Sequence, residues 1–405
     1  MIRQPASSSL GAIFVLLTVM AFNVNLIGPI LGELQAEFDV SLPVLGLLLS
    51  MQAVARAVAI VPAGFLADRL PPRTPLAAGT LCTAIGCAIS ALALDYRVLL
   101  AGVLVTGLGT ALVYTTGLAH TVRSSEGSDR SHTAGRILAA VQMGALLAPM
   151  LSGVAASMFG WRAAFALGAL VGGIAALLPL LFVRAPQPAP ESGSAPIPRL
   201  ARLGLSQSLL PVVGFSVLIL GAGTFAIKQI LLPLYGSVGL DFDPARVGLV
   251  LTLANALRTL VTYKTGPVMD RLGHRRALIA TGGLSVAAAL LLVFPAGLAW
   301  YILVAVLFAP SGLVTPLPAV LIAERMPRTT VGRSIGIMHL SVDLAALAVA
   351  PLITLLLDVQ GFGVVGIAVA ASFVVSTLIG LPLVRSRPVQ PEPEPLSPPV
   401  DTPGP

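Results

Sequence analysis

Apolar runs of about 20 residues recur along almost the whole chain. A helix needs about 20 residues to cross the ~30 Å hydrocarbon core of a bilayer. The runs do not alternate between apolar and polar residues, as the strands of a transmembrane barrel would. Only 10% of the 405 residues are charged, compared with about 25% in soluble domains. We therefore predict an all-α integral membrane protein.

The apolar runs divide into twelve predicted transmembrane helices. They lie at 10–32, 43–66, 75–94, 97–120, 134–158, 162–183, 209–235, 246–265, 277–297, 299–322, 333–357 and 361–384. The first run is longer than the core of a signal peptide, and no A-x-A cleavage pattern follows it. We therefore expect the first run to be retained as a helix.

Proline-rich segments divide the chain. The segment 184–208 separates the sixth and seventh helices and has the composition of a flexible linker. The segment 385–405 is poor in apolar residues and is expected to be disordered. These boundaries predict an N-terminal six-helix half over 1–183 and a C-terminal six-helix half over 209–384.

The basic residues predict how the chain is oriented. Of the 24 Lys and Arg residues, Arg97, Arg162 and Arg246 fall on one side of the membrane and three fall inside predicted helices. The others fall on the opposite side. Because cytoplasmic loops carry the excess of Lys and Arg, we predict cytoplasmic termini in a bacterial-type inner membrane. The membrane topology thereby explains the net charge of +7, and we expect no binding to nucleic acid.

Two segments repeat one pattern. Residues 51–69 read MQAVARAVAIVPAGFLADR, and residues 253–271 read LANALRTLVTYKTGPVMDR. Each carries Arg at its sixth position, Gly at its fourteenth and Asp-Arg at its end. Arg56 and Arg258 are therefore equivalent positions in the two halves. Each lies near the middle of an apolar helix, where a charged residue costs roughly 2.5–3.5 kcal/mol and is functional by default.

The ends of these segments resemble the loop motif of the major facilitator superfamily, G-x-x-x-D-R-x-G-x-R/K. The first copy, GFLADRLPPR, has Pro71 in place of the second Gly, whereas the second copy, GPVMDRLGHR, is complete. The resemblance implies twelve helices in two pseudosymmetric halves around a central site. It also implies a charge latch that holds the two halves together on the cytoplasmic side in the outward-open state. The residues that match it are Gly64, Asp68, Arg69, Arg73, Gly266, Asp270, Arg271 and Arg275.

The fifth predicted helix contains GALLAPMLSG, from Gly144 through Pro149 to Gly153. It resembles the export-associated motif of the same superfamily, with Ala148 replacing one Gly. Close packing of helices through small residues explains the pattern equally well. Drug–proton exporters of the superfamily often carry an Arg in helix four and an acid in helix one. The corresponding helix-four position here is Val103, and helix one offers only amides.

The charged residues inside the helices predict an anion site. Arg56 and Arg258 are expected to bind one anion, as the paired arginines of related nitrate and nitrite porters do. The glycine signatures of those porters are not present, so the substrate class stays open beyond its charge. Gln52 and Asn255 are expected to orient the two arginines, and Lys228 to add a third positive charge. The alternative is a structural role for each cation.

Asp343 and His339 are spaced four residues apart on the eleventh helix. A His beside a carboxylate can titrate near physiological pH, so this pair is the predicted proton carrier. The alternative is a polar pair that packs the helix. No metal-ligand spacing, nucleotide-binding loop or nucleophile–base constellation is recognisable. We therefore expect no cofactor, no metal and no enzymatic activity.

These features together predict a secondary active transporter that moves a small, anionic solute by alternating access, as a monomer in the lipid bilayer and coupled to protons by symport or antiport. The first alternative is an exporter of drugs or metabolites. The second is a receptor or assembly factor that has the transporter fold without transport activity.

Overall fold

The computed structural model describes residues 6–123, 129–183, 209–294, 296–326 and 331–385. The predicted linker at 184–208, and the predicted tail beyond Arg385, lie outside these residues. The described residues form helices joined by short turns, and these helices pack into one bundle.

The N-terminal half contains six helices, labelled α1 to α6. Their bounds are Ala6–Asn25 continued by Leu31–Phe38 (α1), Leu42–Arg69 (α2), Arg73–Ala91 (α3), Tyr96–Arg123 (α4), Asp129–Phe159 (α5), and Trp161–Ala175 continued by Leu177–Phe182 (α6). The C-terminal half repeats this arrangement with α7 to α12. Their bounds are Leu210–Gly239 (α7), Pro244–Tyr263 (α8), His274–Leu291 (α9), Leu298–Arg325 (α10), and the two arms of Val331–Arg385 on either side of Gly361 (α11 and α12).

Ten described segments are long and apolar enough to cross a membrane. One of them, Leu340–Val384, is 45 residues long, which is enough for two passes, and it divides into two helices at Gly361, whose φ of 73° is not helical. Glycine adopts such a left-handed conformation without the penalty of a Cβ. The 18-residue helix His274–Leu291 carries Arg275 and Arg276 in its first turn and completes the set. The prediction of twelve helices is confirmed.

Two helices depart from the continuous spans predicted. Helix α1 breaks at Gly28–Ile30, which forms a 3-10 turn. Pro29 lies there and cannot donate a backbone hydrogen bond. Helix α7 is wound as a wide π-helix over Val217–Leu231, a conformation that is frequent at functional sites. Both irregularities lie next to the centre of the bundle.

The two ends of the bundle differ in charge. The end that holds the Asp-Arg motif of α2, and that of the short helix Thr265–Leu272 that follows α8, is called the basic face. The other end is called the opposite face. On the opposite face the halves are in close contact. A Cβ added at Gly32 of α1 would lie only 2.8 Å from the Cβ of Ser237 in α7. Gly46 of α2 likewise packs directly against Thr354 of α11.

Helices α5 and α8 form the second long contact between the halves. A Cβ at Gly248 would overlap the carbonyl oxygen of Pro149, and one at Gly153 would overlap that of Pro244. Towards the basic face, Asn255 Nδ2 donates to the Ala145 carbonyl at 3.0 Å. The α2–α11 and α5–α8 contacts are related by the internal repeat. They bring the halves together from the opposite face to the middle of the bundle.

Candidate functional site

A cavity lies between the halves near the middle of the bundle. Its volume is about 20 Å³, which is room for about one ordered water molecule. The residues that line it come from α1, α5, α7, α8 and α10: Asn25, Gly28, Pro149, Lys228, Gln229, Leu232, Pro233, Leu251, Ala254, Asn255, Arg258 and Phe308. The break in α1 and the π-helical part of α7 both contribute to this wall. The cavity therefore joins an apolar surface to a few converging polar groups.

Arg258 reaches the cavity from α8. Its Nη2 donates a hydrogen bond to Thr315 Oγ1 at 2.8 Å. Its Nε is buried and has no hydrogen-bond partner among the described residues. A guanidinium has five N–H donors, so most of its binding capacity remains unused. No carboxylate of the described residues forms an ion pair with it.

Lys228 reaches the same cavity from α7. It is half-buried, and it forms neither a hydrogen bond nor an ion pair with the described residues. Lys228 and Arg258 are thus two cations at one cavity whose described lining contains no acid. Placing unpaired charges in a bundle interior is costly. An anion in the cavity would offset that cost.

Three amide side chains border the two cations. Asn255 is anchored to α5 through its hydrogen bond to Ala145, and Asn25 Nδ2 donates to the Ala21 carbonyl at 2.8 Å. Gln229 also lines the cavity. These groups provide acceptors and donors that can orient a polar ligand without neutralising it.

Arg56 has a different environment. Its Nη2 lies 3.2 Å from Asp343 Oδ1, with the two side chains 33% and 27% exposed. The ion pair joins α2 to α11 and therefore connects the two halves. Arg56 is not among the described residues that line the cavity. The structure brings together Arg258, Lys228 and Asn255 from the predicted site, and it pairs Arg56 with the predicted proton carrier.

The other two residues of the predicted central site are Gln52 and His339. Gln52 is 7% exposed, and its Nε2 has no hydrogen-bond partner among the described residues. The carbonyl oxygen of Gln52 packs against Gly107 of α4. His339 lies on α11, but its side chain is outside the described part of the structure. The predicted pairing of His339 with Asp343 stays a prediction.

The predicted latch lies at the basic face. All five of its described charged residues are exposed there, and no ion pair among the described residues involves them: Arg69, Arg73, Asp270, Arg271 and Arg275. Gly64 and Gly266 have open space beside them. The side chain of Asp68 is outside the described part of the structure.

The helix-five motif lies at two helix crossings. A Cβ at Gly144 would overlap the carbonyl oxygen of Thr18 in α1, whereas Gly153 packs against α8. Pro149 lines the cavity between them. Both glycines therefore have a packing role, and the one at 153 acts between the halves.

Sequence reasoning missed three groups of the site. Gln229 and Thr315 carry no motif, and only the three-dimensional fold brings Thr315 to Arg258. Asn25 is one of the two strongly polar residues of its span, and that rarity was a usable signal. Among the described residues, no group of three or more His, Cys, Asp or Glu side chains could hold a metal ion.

The chain belongs to the Major Facilitator Superfamily, whose sequence model matches residues 13–317 and 265–403. It is 34% identical over 111 residues to the MFS-type transporter ppzB of Metarhizium rileyi, covering 27% of this chain and 23% of that protein. It is 30% identical over 123 residues to an uncharacterized MFS-type transporter of Schizosaccharomyces pombe, covering 30% of this chain and 28% of the relative. The chain thus spans about a quarter of the length of the curated relatives it matches.

Solved structures show the same fold at low identity. A bacterial homolog of the human lysosomal transporter Spinster, in an inward-facing and occupied conformation, has a TM-score of 0.76 at 15% identity over 94% of this chain and 97% of that one. A peptide transporter in complex with sulfate has a TM-score of 0.73 at 13% identity over 93% and 95%. A D-xylose–proton symporter has a TM-score of 0.71 at 14% identity over 91% and 97%. The protein is a multi-pass membrane protein with the twelve-helix transporter fold.

Proposed function

We propose that the protein is a secondary active transporter for a small anionic solute. The observation that carries the proposal is the pair of cations, Lys228 and Arg258, at a cavity whose described lining has no acid. Two positive charges would repel a cationic solute, whereas an anionic solute would neutralise them. The amides of Asn25, Gln229 and Asn255 would orient the bound solute.

Alternating access is the mechanism that fits this arrangement. The halves are in close contact from the opposite face to the ion pair of Arg56 and Asp343. The cavity is too small in this conformation for an organic solute. Solute entry would therefore require the halves to separate, and the Asp-Arg motifs would form their latch when the basic face closes. In the predicted orientation the basic face is cytoplasmic, in an inner membrane, and the protein acts as a monomer.

Asp343 would couple transport to protons. In the structure its carboxylate holds Arg56 of the other half. A proton on Asp343 would remove the negative charge of this pair and weaken the connection between α2 and α11. Protonation would then change the free energy of separating the halves, as coupling requires. His339, one turn away on the same helix, is the second candidate for carrying the proton.

An exporter is the second candidate function, and the helix-five motif of Gly144, Pro149 and Gly153 favours it. The direction of transport is separate from the charge of the solute, so an anion exporter would use the same cavity. A cationic solute would not be expected to bind between Lys228 and Arg258, so this cavity does not favour an exporter of cations.

A thermal-shift screen of the purified protein tests the proposed solute class. Small anions should raise the melting temperature by mass action, whereas cations and neutral sugars should not. The Lys228→Gln variant should lose the anion-dependent shift. Stabilisation by cationic compounds alone would overturn the proposal, and a protein that binds anions but moves none across vesicle membranes would be a receptor.

The contact of α5 with α8 gives a prediction about conformation. Gly248→Val should leave the helical content intact but prevent the halves from closing at the opposite face, because the valine would overlap Pro149. Spin-label distances across the opposite face should lengthen, and transport should fall at least tenfold.

Gly109→Val is the matched control for this change. Gly109 packs against Gly79 and Thr83 inside the N-terminal half, so its contact is needed in every conformation. We expect it to reduce the yield of folded protein. Equal loss of folded protein in both variants would contradict a state-specific role for Gly248.

The latch gives a further prediction. Asp68→Asn should reduce the transport rate at least tenfold while the protein still folds, because the latch contact forms in one conformation only. Asp270→Asn should reduce it less, since the family depends more on the first copy. Initial rates in proteoliposomes measure both effects. Wild-type rates in the two variants would rule out the latch.

A further inference from the structure

We infer that the solute is an organic dianion that carries no ammonium group. The inference rests on the proposed function and narrows it, from anions in general to one class of anion. It follows from a count of charges at the cavity and from the chemistry of its wall.

The charge count favours two negative charges. Lys228 and Arg258 both border the cavity, and neither has an ion-pair partner among the described residues. Asp343, the acid in the middle of α11, is paired with Arg56 and is not among the described lining residues. A monoanion would leave one cation uncompensated inside the bundle, where an unpaired charge is costly. A dianion would neutralise both.

The lack of an acid among the described lining residues argues against a second class of solute. Amino acids and peptides carry an ammonium group, which an acceptor with negative charge stabilises best. The only side-chain acceptors in the described lining of the cavity are the amide oxygens of Asn25, Gln229 and Asn255. An ammonium group would also lie close to Lys228 or Arg258 and be repelled. A zwitterion should therefore bind more weakly than the dianion of the same carbon skeleton.

The apolar side chains that line the cavity favour the binding of organic dianions over inorganic ones. Leu232, Pro233, Leu251, Phe308 and Pro149 form much of the lining. An inorganic dianion such as sulfate would lose its hydration against these side chains without gaining apolar contact. A carbon skeleton between two charged groups would bury its methylenes there.

Four probes test the inference on the purified full-length protein: succinate, butyrate, aspartate and sulfate. Isothermal titration should give succinate the lowest Kd. Butyrate lacks one carboxylate and should bind about ten- to a hundredfold more weakly, the usual worth of one hydrogen bond to a charged group. Aspartate and sulfate should each bind at least tenfold more weakly than succinate.

Two variants test whether this cavity causes the preference for succinate over butyrate. Lys228→Gln should bring the Kd of succinate to within about threefold of that of butyrate, because the second positive charge is gone. Lys228→Arg should restore most of the preference. A general structural defect would instead weaken both probes equally and would not be rescued.

The outcomes separate this inference from the proposed function. Butyrate or aspartate binding as tightly as succinate would overturn the dianion class while leaving an anion transporter. Sulfate binding more tightly than succinate would overturn the organic class alone. Binding of none of the four probes would overturn both.

Discussion

Replacing Asp343 with asparagine is expected to abolish accumulation of the solute against a gradient. The carboxylate accepts a hydrogen bond from Arg56 Nη2 of the other half at 3.2 Å, and asparagine can neither carry this charge nor take up a proton. Exchange of solute across the membrane should persist, because it requires binding and reorientation but no net proton movement. Uptake into proteoliposomes, with and without an imposed pH gradient, measures the two activities separately.

Two controls isolate the coupling role of Asp343. Asp358 is an exposed acid further along α11, and Asp358→Asn should accumulate solute as the wild type does. Asp343→Asn also leaves Arg56 unpaired, which should lower the free energy of unfolding by about 1–2 kcal/mol for a partly exposed pair. The double variant Arg56→Gln with Asp343→Asn should recover this stability but remain uncoupled. Accumulation with unchanged pH dependence in Asp343→Asn would exclude Asp343 as the proton carrier.

The second large effect concerns the two arginines of the internal repeat, which should behave differently. Arg258→Lys keeps the charge but loses the hydrogen bond to Thr315 and the planar fork that grips an anion. We expect the affinity for the anion to fall about ten- to a hundredfold. Arg56→Lys keeps the ion pair with Asp343 and should change the affinity by less than about threefold. Isothermal titration of both variants with succinate gives the comparison.

Equal losses in Arg56→Lys and Arg258→Lys would contradict this difference. Such a result would favour the arrangement that the repeat itself predicts, in which the two arginines jointly bind one anion. The double variant would then lose less affinity than the sum of the two single changes, because both arginines would share one ligand.

The helices of this protein could be predicted almost completely from the sequence. The length of an apolar run determines where a chain can cross a bilayer, so the sequence alone predicts twelve spans. The irregular points were less visible. Pro29 marks the break in α1, but no residue pattern indicates that α7 widens into a π-helix around Lys228.

The candidate site could be predicted only in part. Charges inside apolar helices are conspicuous, and Arg258 and Lys228 were predicted in this way. Asn255 was predicted because it lies one turn from Arg258. Which charges pair with each other depends on how the two halves pack, and a one-dimensional pattern does not contain that information. The repeat makes Arg56 and Arg258 equivalent, yet Asp343 has no acidic counterpart beside Arg258 among the described residues. The pseudosymmetry of the fold is therefore broken by one ion pair.

Binding of a transported anion by Lys228 and Arg258 can be measured by electrical recording from proteoliposomes adsorbed on a solid-supported membrane. Succinate is added in concentration jumps under a fixed pH gradient. The wild type should give a current that grows with succinate concentration and saturates. The variant with Lys228→Gln and Arg258→Gln, reconstituted at the same density and helical content, should give no current above that of empty liposomes. A saturable current of wild-type size from the double variant would contradict such binding.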